Sequence, residues 1–247
     1  PLVLVACGLL VYANSLKGEF VYDSISSIVE NEDIRQLWPP TWGYASPGFH
    51  AATNSRPVVG LSLAVNYALG GLEIGGYRLF NLLVHLVAGL VLYGLLWRTL
   101  GVGEGALAFS IALLWLLHPL NNQCINYVLQ RSESLMGLCY LLVLYAAKRG
   151  MDGEGRHWYG VALFVSLLGM ASKEVMATVP LAVLLYDRTF VAGSFAAGWR
   201  QRRALYVGLA LTTVVLLGLQ WSQPHGDSIG FAGGVGAWQY LLNQSDV

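Results

Sequence analysis

Five carboxylates, Glu19, Asp23, Glu30, Glu32 and Asp33, crowd the sixteen residues GEFVYDSISSIVENED (18 to 33) of a chain that is otherwise strongly apolar. An ionised carboxylate can accept a proton from an attacking group as a general base. It can also cap a helix, and DSIS, starting at Asp23, fits an N-cap. Glu30, Glu32 and Asp33 read as a solvated loop face. Three cations farther along, Arg56, Arg131 and Lys173, suit anion binding, the arginines through a bidentate fork and the lysine as a point charge. Each has a structural reading beside the chemical one. Arg131 could pair with Glu133 or anchor a helix end at the headgroups; Lys173 could pair with Glu174 or snorkel. His118, directly before Pro119, can bond a ligand or its own backbone. Asn81 and His85 lie four apart on one helix face, inside an apolar segment where polar groups need partners. Bonds to neighbouring helices are their simpler use, and contact with a substrate is the other. The five histidines show no zinc spacing, and Cys7, Cys124 and Cys139 show no metal or disulfide spacing. No Gly-rich phosphate loop follows a strand, and no Ser-His-Asp arrangement occurs. No cofactor and no metal site is expected.

The elements that position these groups follow from the solvent. The chain is 55% hydrophobic and 11% charged, with a mean hydropathy of +0.55, too apolar for a water-soluble globule of this length. It reads as an all-α, polytopic membrane helix bundle. Apolar segments run from Leu79 to Trp97, Ala106 to Leu117, Leu135 to Ala147, Trp158 to Ala171, Val175 to Tyr186 and Ala204 to Trp221. Several are short, so flanking polar positions must complete them. Pro180 predicts a kink in the fifth. Both ends fall near apolar runs, Pro1 to Tyr12 and Ala237 to Leu242. The expectation is therefore one transmembrane domain, residues 1 to 247, that continues past both ends, with Pro1 to Leu16 as the remnant of a first span and a cleaved signal peptide as the alternative. The formal net charge of zero implies no nucleic-acid partner.

Positive charge orients the segments, since short cytoplasmic loops are rich in Lys and Arg. Lys148, Arg149 and Arg156 mark one such connection; Arg188, Arg200, Arg202 and Arg203 mark another. With both inside, ASKEV (171 to 175) is an outer turn and HPLNNQCINYVLQR (118 to 131) an outer segment. Parity then forbids Pro57 to Leu69 from crossing, and it becomes an interfacial helix within a large outer loop, residues 17 to 77. The acid-rich stretch, Arg56, the His118 segment and the Lys173-Glu174 turn thus gather on one non-cytoplasmic face, around one water-accessible pocket just above the lipid.

The succession FVYDSISSIVENEDI, SRPVVGLSLAVNYALGGLEIGGYRLFNLLVHL, LLHPLNNQCINYVLQRSESLMGLCYLLVLY and ASKEVMATVPLAVLLYDR runs in order from about Gly18 to Arg188. It resembles the membrane half of the transmembrane and tetratricopeptide-repeat O-mannosyltransferases and their bacterial relatives, within the C-type superfamily of polyprenyl-phosphate-sugar glycosyltransferases. The resemblance implies transfer of a mannose-like sugar from a polyprenyl phosphate to a protein Ser or Thr hydroxyl, with inversion, and a repeat domain beyond residue 247. It places Asp23 at the first aspartate of a paired-acid motif, as catalytic base. Arg131, Lys173 and Arg56 would meet the donor phosphate, and His118, Glu174, His85 and Asn81 would line the pocket. Two positions depart: Ser24 stands for the second acid of the pair, and Asn121-Asn122-Gln123 follows His-Pro where a glutamate is usual. A divalent metal at Asp23 would therefore lack partner acids. These departures favour an alternative, a non-catalytic membrane subunit scaffolding a larger complex. A transporter is a weaker third reading, with no inverted repeat and no acid at mid-membrane.

Overall fold

A computed structural model describes residues 1–41, 53 and 55–221, and it is helical, with no strand among them. The apolar start expected at Ala237 to Leu242 lies outside the described residues. The α-helices are α1 (Leu2–Val11), α2 (Pro57–Gly70), α3 (Ile74–Leu100), α4 (Gly105–Leu116), α5 (Asn122–Asn126), α6 (Arg131–Met151), α7 (His157–Met170), α8 (Val179–Asp187) and α9 (Phe195–Trp221). The central post is α3, whose 27 residues extend about 40 Å at 1.5 Å per residue. Against it pack α1, α2, α4, α5 and α6, while α6 in turn carries α7 and α8, and α9 closes over both.

Burial explains the grouping. Leu4, Leu82, Leu86, Leu116 and Ile125 form one core where α1, α3, α4 and α5 meet. Val143, Val165, Met176, Val183 and Leu209 form a second among α6 to α9. A third, with Ile28, Ile34, Val59, Leu63, Tyr77 and Val128, seats the acid-rich segment on α2 and α3. Close helix approach needs glycine at one place in particular: a β-carbon on Gly89 of α3 would lie 2.8 Å from Leu116 Cδ1 of α4.

Among the described residues, two helical runs are long and apolar enough to cross a membrane, Ile74–Leu100 and Glu174–Ala192, and α4 with Pro119–Asn126 makes a third if that pair, bent by 48°, is one span. The protein is an integral membrane protein. The chain turns at His118 (ψ 129°), where the apolar segment is expected to end, because a residue before proline is driven out of the α region. Two differences from the sequence expectation have local causes. Pro180 does not kink a helix midway; it lies in the first turn of α8, after a 3₁₀ turn at Glu174–Thr178, where its missing N–H needs no partner. Helix α9 starts well before Ala204 but departs from helical geometry at Arg202 (φ −132°). There Arg202 Nη1 reaches both carboxylate oxygens of Asp187 at 3.0 Å, and Asp187, 0% exposed, also accepts from the Tyr206 hydroxyl.

Helices α3 and α6 run the same way, so the bundle has two chemically distinct ends. At one, Arg98 Nη1 lies 2.5 Å from Glu154 and 3.5 Å from Asp152, Arg149 pairs with Glu154, Lys148 pairs with Asp152, and Arg149 covers the Trp158 ring at 3.8 Å. The hydrogen bond from Arg149, and then the one from Arg98, hold the Glu154 carboxyl below its ordinary 4.5. A depressed carboxyl stabilises the fold above its unfolded value and ceases to as pH falls through the folded one. Glu154→Gln is therefore expected to melt lower than wild type at pH 7 and to lose less on acidification below 4.5, read as Tm against pH.

Candidate active site

At the other end, the chain leaves α1 through a 3₁₀ turn at Ala13–Leu16 and doubles back across α3. Phe20 meets the Tyr77 ring edge-on, with centroids 5.5 Å apart. Tyr22 then adopts φ 53°, in the left-handed region, where a bulky side chain is an outlier, and its ring is 82% exposed. Asp23 follows, exposed, at the entry to a wide turn over Ile25–Val29. It does not cap that turn with its side chain: the cap position is Ser24, with no side-chain cap bond. Tyr127 lies close enough to feel it: the Tyr127 pKa is raised by burial first and then by the charge of Asp23. The rings of Tyr22 and Tyr127 meet at 6.1 Å, nearly perpendicular. Ser24 is 1% exposed and its hydroxyl has no partner among the described residues. Of the other acids, Glu32 and Asp33 open a 3₁₀ turn whose Asn31 cap accepts from the Asp33 N–H at 2.9 Å, a position that suits negative charge.

Other contacts tie the start of α6 to the turn after α7. Ser134 Oγ donates to the Cys124 carbonyl at 3.3 Å, and Glu133, beside Ser134, forms an ion pair with Lys173. Next to Lys173, Glu174 accepts from Arg56 Nη2 at 3.3 Å. The start of α2 is fastened there too, since the Val58 N–H donates to the Ala171 carbonyl at 3.2 Å. Asp23, Arg56, Lys173 and Glu174, from three separate stretches, therefore share one end of the bundle. Lys173 pairs across the bundle with Glu133 and leaves its neighbour Glu174 to Arg56.

Arg131 departs from the expectation of phosphate contact. It is 0% exposed, and its guanidinium is engaged on every edge: Nε donates to Asn81 Oδ1 at 2.8 Å, Nη1 to Ser62 Oγ at 3.3 Å and Nη2 to the Tyr77 carbonyl at 2.9 Å. The Phe80 ring lies 4.3 Å from its centre. The alternative of pairing with Glu133 is not realised either, because Glu133 is drawn to Lys173. Asn81 completes the clamp by donating to the Val128 carbonyl at 3.2 Å. His85 is buried deeper, with Nε2 at 2.8 Å from the Leu116 carbonyl and its ring stacked on Trp115 at 5.1 Å. His118 is exposed and its Nδ1 accepts the Leu120 N–H at 3.3 Å. Among the described residues no group of three His, Cys, Asp or Glu side chains is placed to hold a metal ion.

The arrangement offers an exposed carboxylate for taking up a proton and, along the same rim, two cations whose carboxylate partners an incoming anion could replace. Sequence reasoning missed Tyr127. It sits in a polar segment with nothing local to mark it, and only the fold brings it near Asp23.

The sequence profile of the dolichyl-phosphate-mannose-protein mannosyltransferase family matches residues 52–221, more than half of the chain. The chain belongs to this family. Among its relatives, human protein O-mannosyl-transferase TMTC1 is 29% identical over 203 residues, which cover 75% of this chain and 23% of that protein. Protein O-mannosyl-transferase tmtc2 of Xenopus laevis is 30% identical over 195 residues, 74% of this chain and 23% of the relative. Protein O-mannosyl-transferase Tmtc3 of Drosophila melanogaster is 30% identical over 222 residues, 75% and 23% of the two chains. The matched residues thus make up about a quarter of the family members they align with. No solved structure matches. The family profile covers the clamp, both rim cations and the helices that carry them; Asp23 lies before the matched residues.

Proposed function

We propose that this chain is the membrane part of a protein O-mannosyltransferase that moves mannose from a polyprenyl phosphate to a Ser or Thr hydroxyl at the non-cytoplasmic face, with inversion. The observation that supports this most directly is an exposed Asp23 at the same end as Arg56 and Lys173 in a chain of this family. Asp23 takes the proton from the acceptor hydroxyl as its oxygen attacks the anomeric carbon. The bond from that carbon to the phosphate oxygen breaks on the opposite side, and the polyprenyl phosphate departs with the negative charge. Lys173 and Arg56 exchange Glu133 and Glu174 for that phosphate, a charge-assisted contact, and the freed Glu174 is left to orient the sugar. Arg131, with Asn81, holds the floor beneath, and His85 and His118 stand to the side of the transfer. The basic end, with Arg98, Lys148 and Arg149, faces the cytoplasm, which puts the acid-bearing rim outside and makes the chain multi-pass.

The test is transfer of labelled mannose from polyprenyl phosphate mannose to a Ser/Thr peptide by the full chain in nanodiscs. Label on the peptide is expected, and Lys173→Met should raise the donor KM about 10- to 150-fold, as loss of one contact to a charged group of about 1.5–3 kcal/mol would. Tm should fall only modestly, because the Lys173–Glu133 pair is partly buried rather than sealed from solvent. A second reading, a non-catalytic subunit in a membrane complex, is favoured by Ser24, whose hydroxyl is buried without a partner where the family resemblance puts an acid. Absence of transfer from a well-folded chain would select it.

A further inference from the structure

One arginine of α3 is unlike the rim cations, because it faces only backbone. Arg78, 8% exposed, lies one turn into α3 and directs its guanidinium into the loop that follows α1. Its Nη1 donates to the Ser15 carbonyl at 3.1 Å and to the Lys17 carbonyl, and its Nη2 to the Glu19 carbonyl at 3.4 Å. Carbonyls from successive odd positions thus converge on one planar group. Gly18, between them, adopts φ +139°, and a β-carbon there would lie 2.6 Å from Nη1 and 2.9 Å from Nη2. The loop is wrapped onto the guanidinium as closely as a residue without a side chain permits. One residue on, Phe20 is held by Tyr77, the neighbour of Arg78. Asp23 follows three residues later.

We propose that Arg78 is a positioning residue that fastens Ser15–Glu19 to α3 and thereby fixes where the Asp23 carboxylate meets the acceptor hydroxyl. The inference rests on Asp23 being the base. Arginine suits the task because its donors spread from a rigid fork, whereas a lysine ammonium gathers its three donors at one point and does not span carbonyls set apart along Ser15, Lys17 and Glu19. The donor site is independent of this latch: Arg56 begins α2 and Lys173 belongs to the turn after α7. Loosening the loop should therefore slow the chemical step and leave donor binding alone.

The full chain in nanodiscs is assayed as Arg78→Lys and as Gly18→Ala, the second of which keeps the arginine and disturbs the same contact. Both are expected to lower kcat about 100-fold, the effect of a misplacement on the order of 1 Å, with donor KM unchanged. Amide exchange over residues 15–24 should rise while that of α3 and α6 stays protected. A double variant should be far less impaired than the product of the two single effects, since both remove one interaction. Unimpaired kcat in either variant, unchanged exchange in the loop, or a donor KM that rises as much as kcat falls overturns the inference. Should Arg78→Lys fail to fold, Gly18→Ala decides by the same readings. Asp23→Asn is run alongside: if it transfers mannose at the wild-type rate the base assignment falls and this inference with it, whereas a dead Asp23→Asn beside a fully active Arg78→Lys overturns the latch alone.

Discussion

Asp23→Asn is expected to end mannosyl transfer and to leave the fold untouched. An aliphatic hydroxyl does not ionise near neutral pH, so its attack on the anomeric carbon needs a base aligned with the oxygen, and an amide of the same shape is not one. General-base catalysis contributes about 10²–10⁴-fold, so kcat should fall by that factor, with donor KM near wild type because Arg56 and Lys173 are unchanged. Stability should move by no more than about 0.5 kcal/mol, as is usual for an exposed side chain. The Tyr22–Tyr127 ring contact does not depend on the Asp23 charge and should persist. The measurement is kcat, donor KM and Tm of the same preparation. A variant that transfers at the wild-type rate shows that another group takes the proton; one that is dead because it melts shows that Asp23 holds the loop instead.

Arg131→Ala should have the opposite profile, a large loss of stability. The side chain is wholly buried, and its removal leaves Asn81 Oδ1, Ser62 Oγ and the Tyr77 carbonyl facing a cavity. A buried acceptor left unpaired costs about 1–3 kcal/mol, and part of that is offset because a buried charge is also removed. The expected net loss is about 3–5 kcal/mol, on the order of 10 °C in Tm for a domain of this size. Arg131→Lys should recover little of it, because one ammonium cannot meet acceptors on α2 and α3 together. Arg131 and Asn81 should couple, so that the double variant loses much less than the sum of the two single variants. A Tm shift of a degree or two in Arg131→Ala would show that the clamp is not a support of the rim.

Both expectations depend on features that the sequence reveals unequally. The apolar runs announce the helices because, in lipid, a segment must bury or expose apolar groups along its whole length and satisfy its own backbone. Pro57 to Leu69 was legible as a separate helix for that reason, and α2 ends one residue later, at Gly70. Proline is less legible from the chain alone. Pro180 disrupts a helix only if the helix has already formed ahead of it, and the preceding residues wind as 3₁₀.

Read alone, the sequence establishes an all-helical membrane chain of this family, and alternating crossings group Asp23, Arg56, Lys173 and Glu174 at one end of it. That much is legible because hydropathy and parity are properties of order along a chain. Only the folded bundle decides what each polar group faces. Arg131 is a clamp because Ser62, Tyr77 and Asn81 of two other helices surround it; Lys173 takes Glu133 and leaves Glu174 to Arg56; Tyr127 comes to Asp23, and Arg78 grips a loop far from it in the chain. Hydrogen bonds and ion pairs act over a few ångströms, so their partners are chosen by packing between distant segments, which no local pattern of residues encodes.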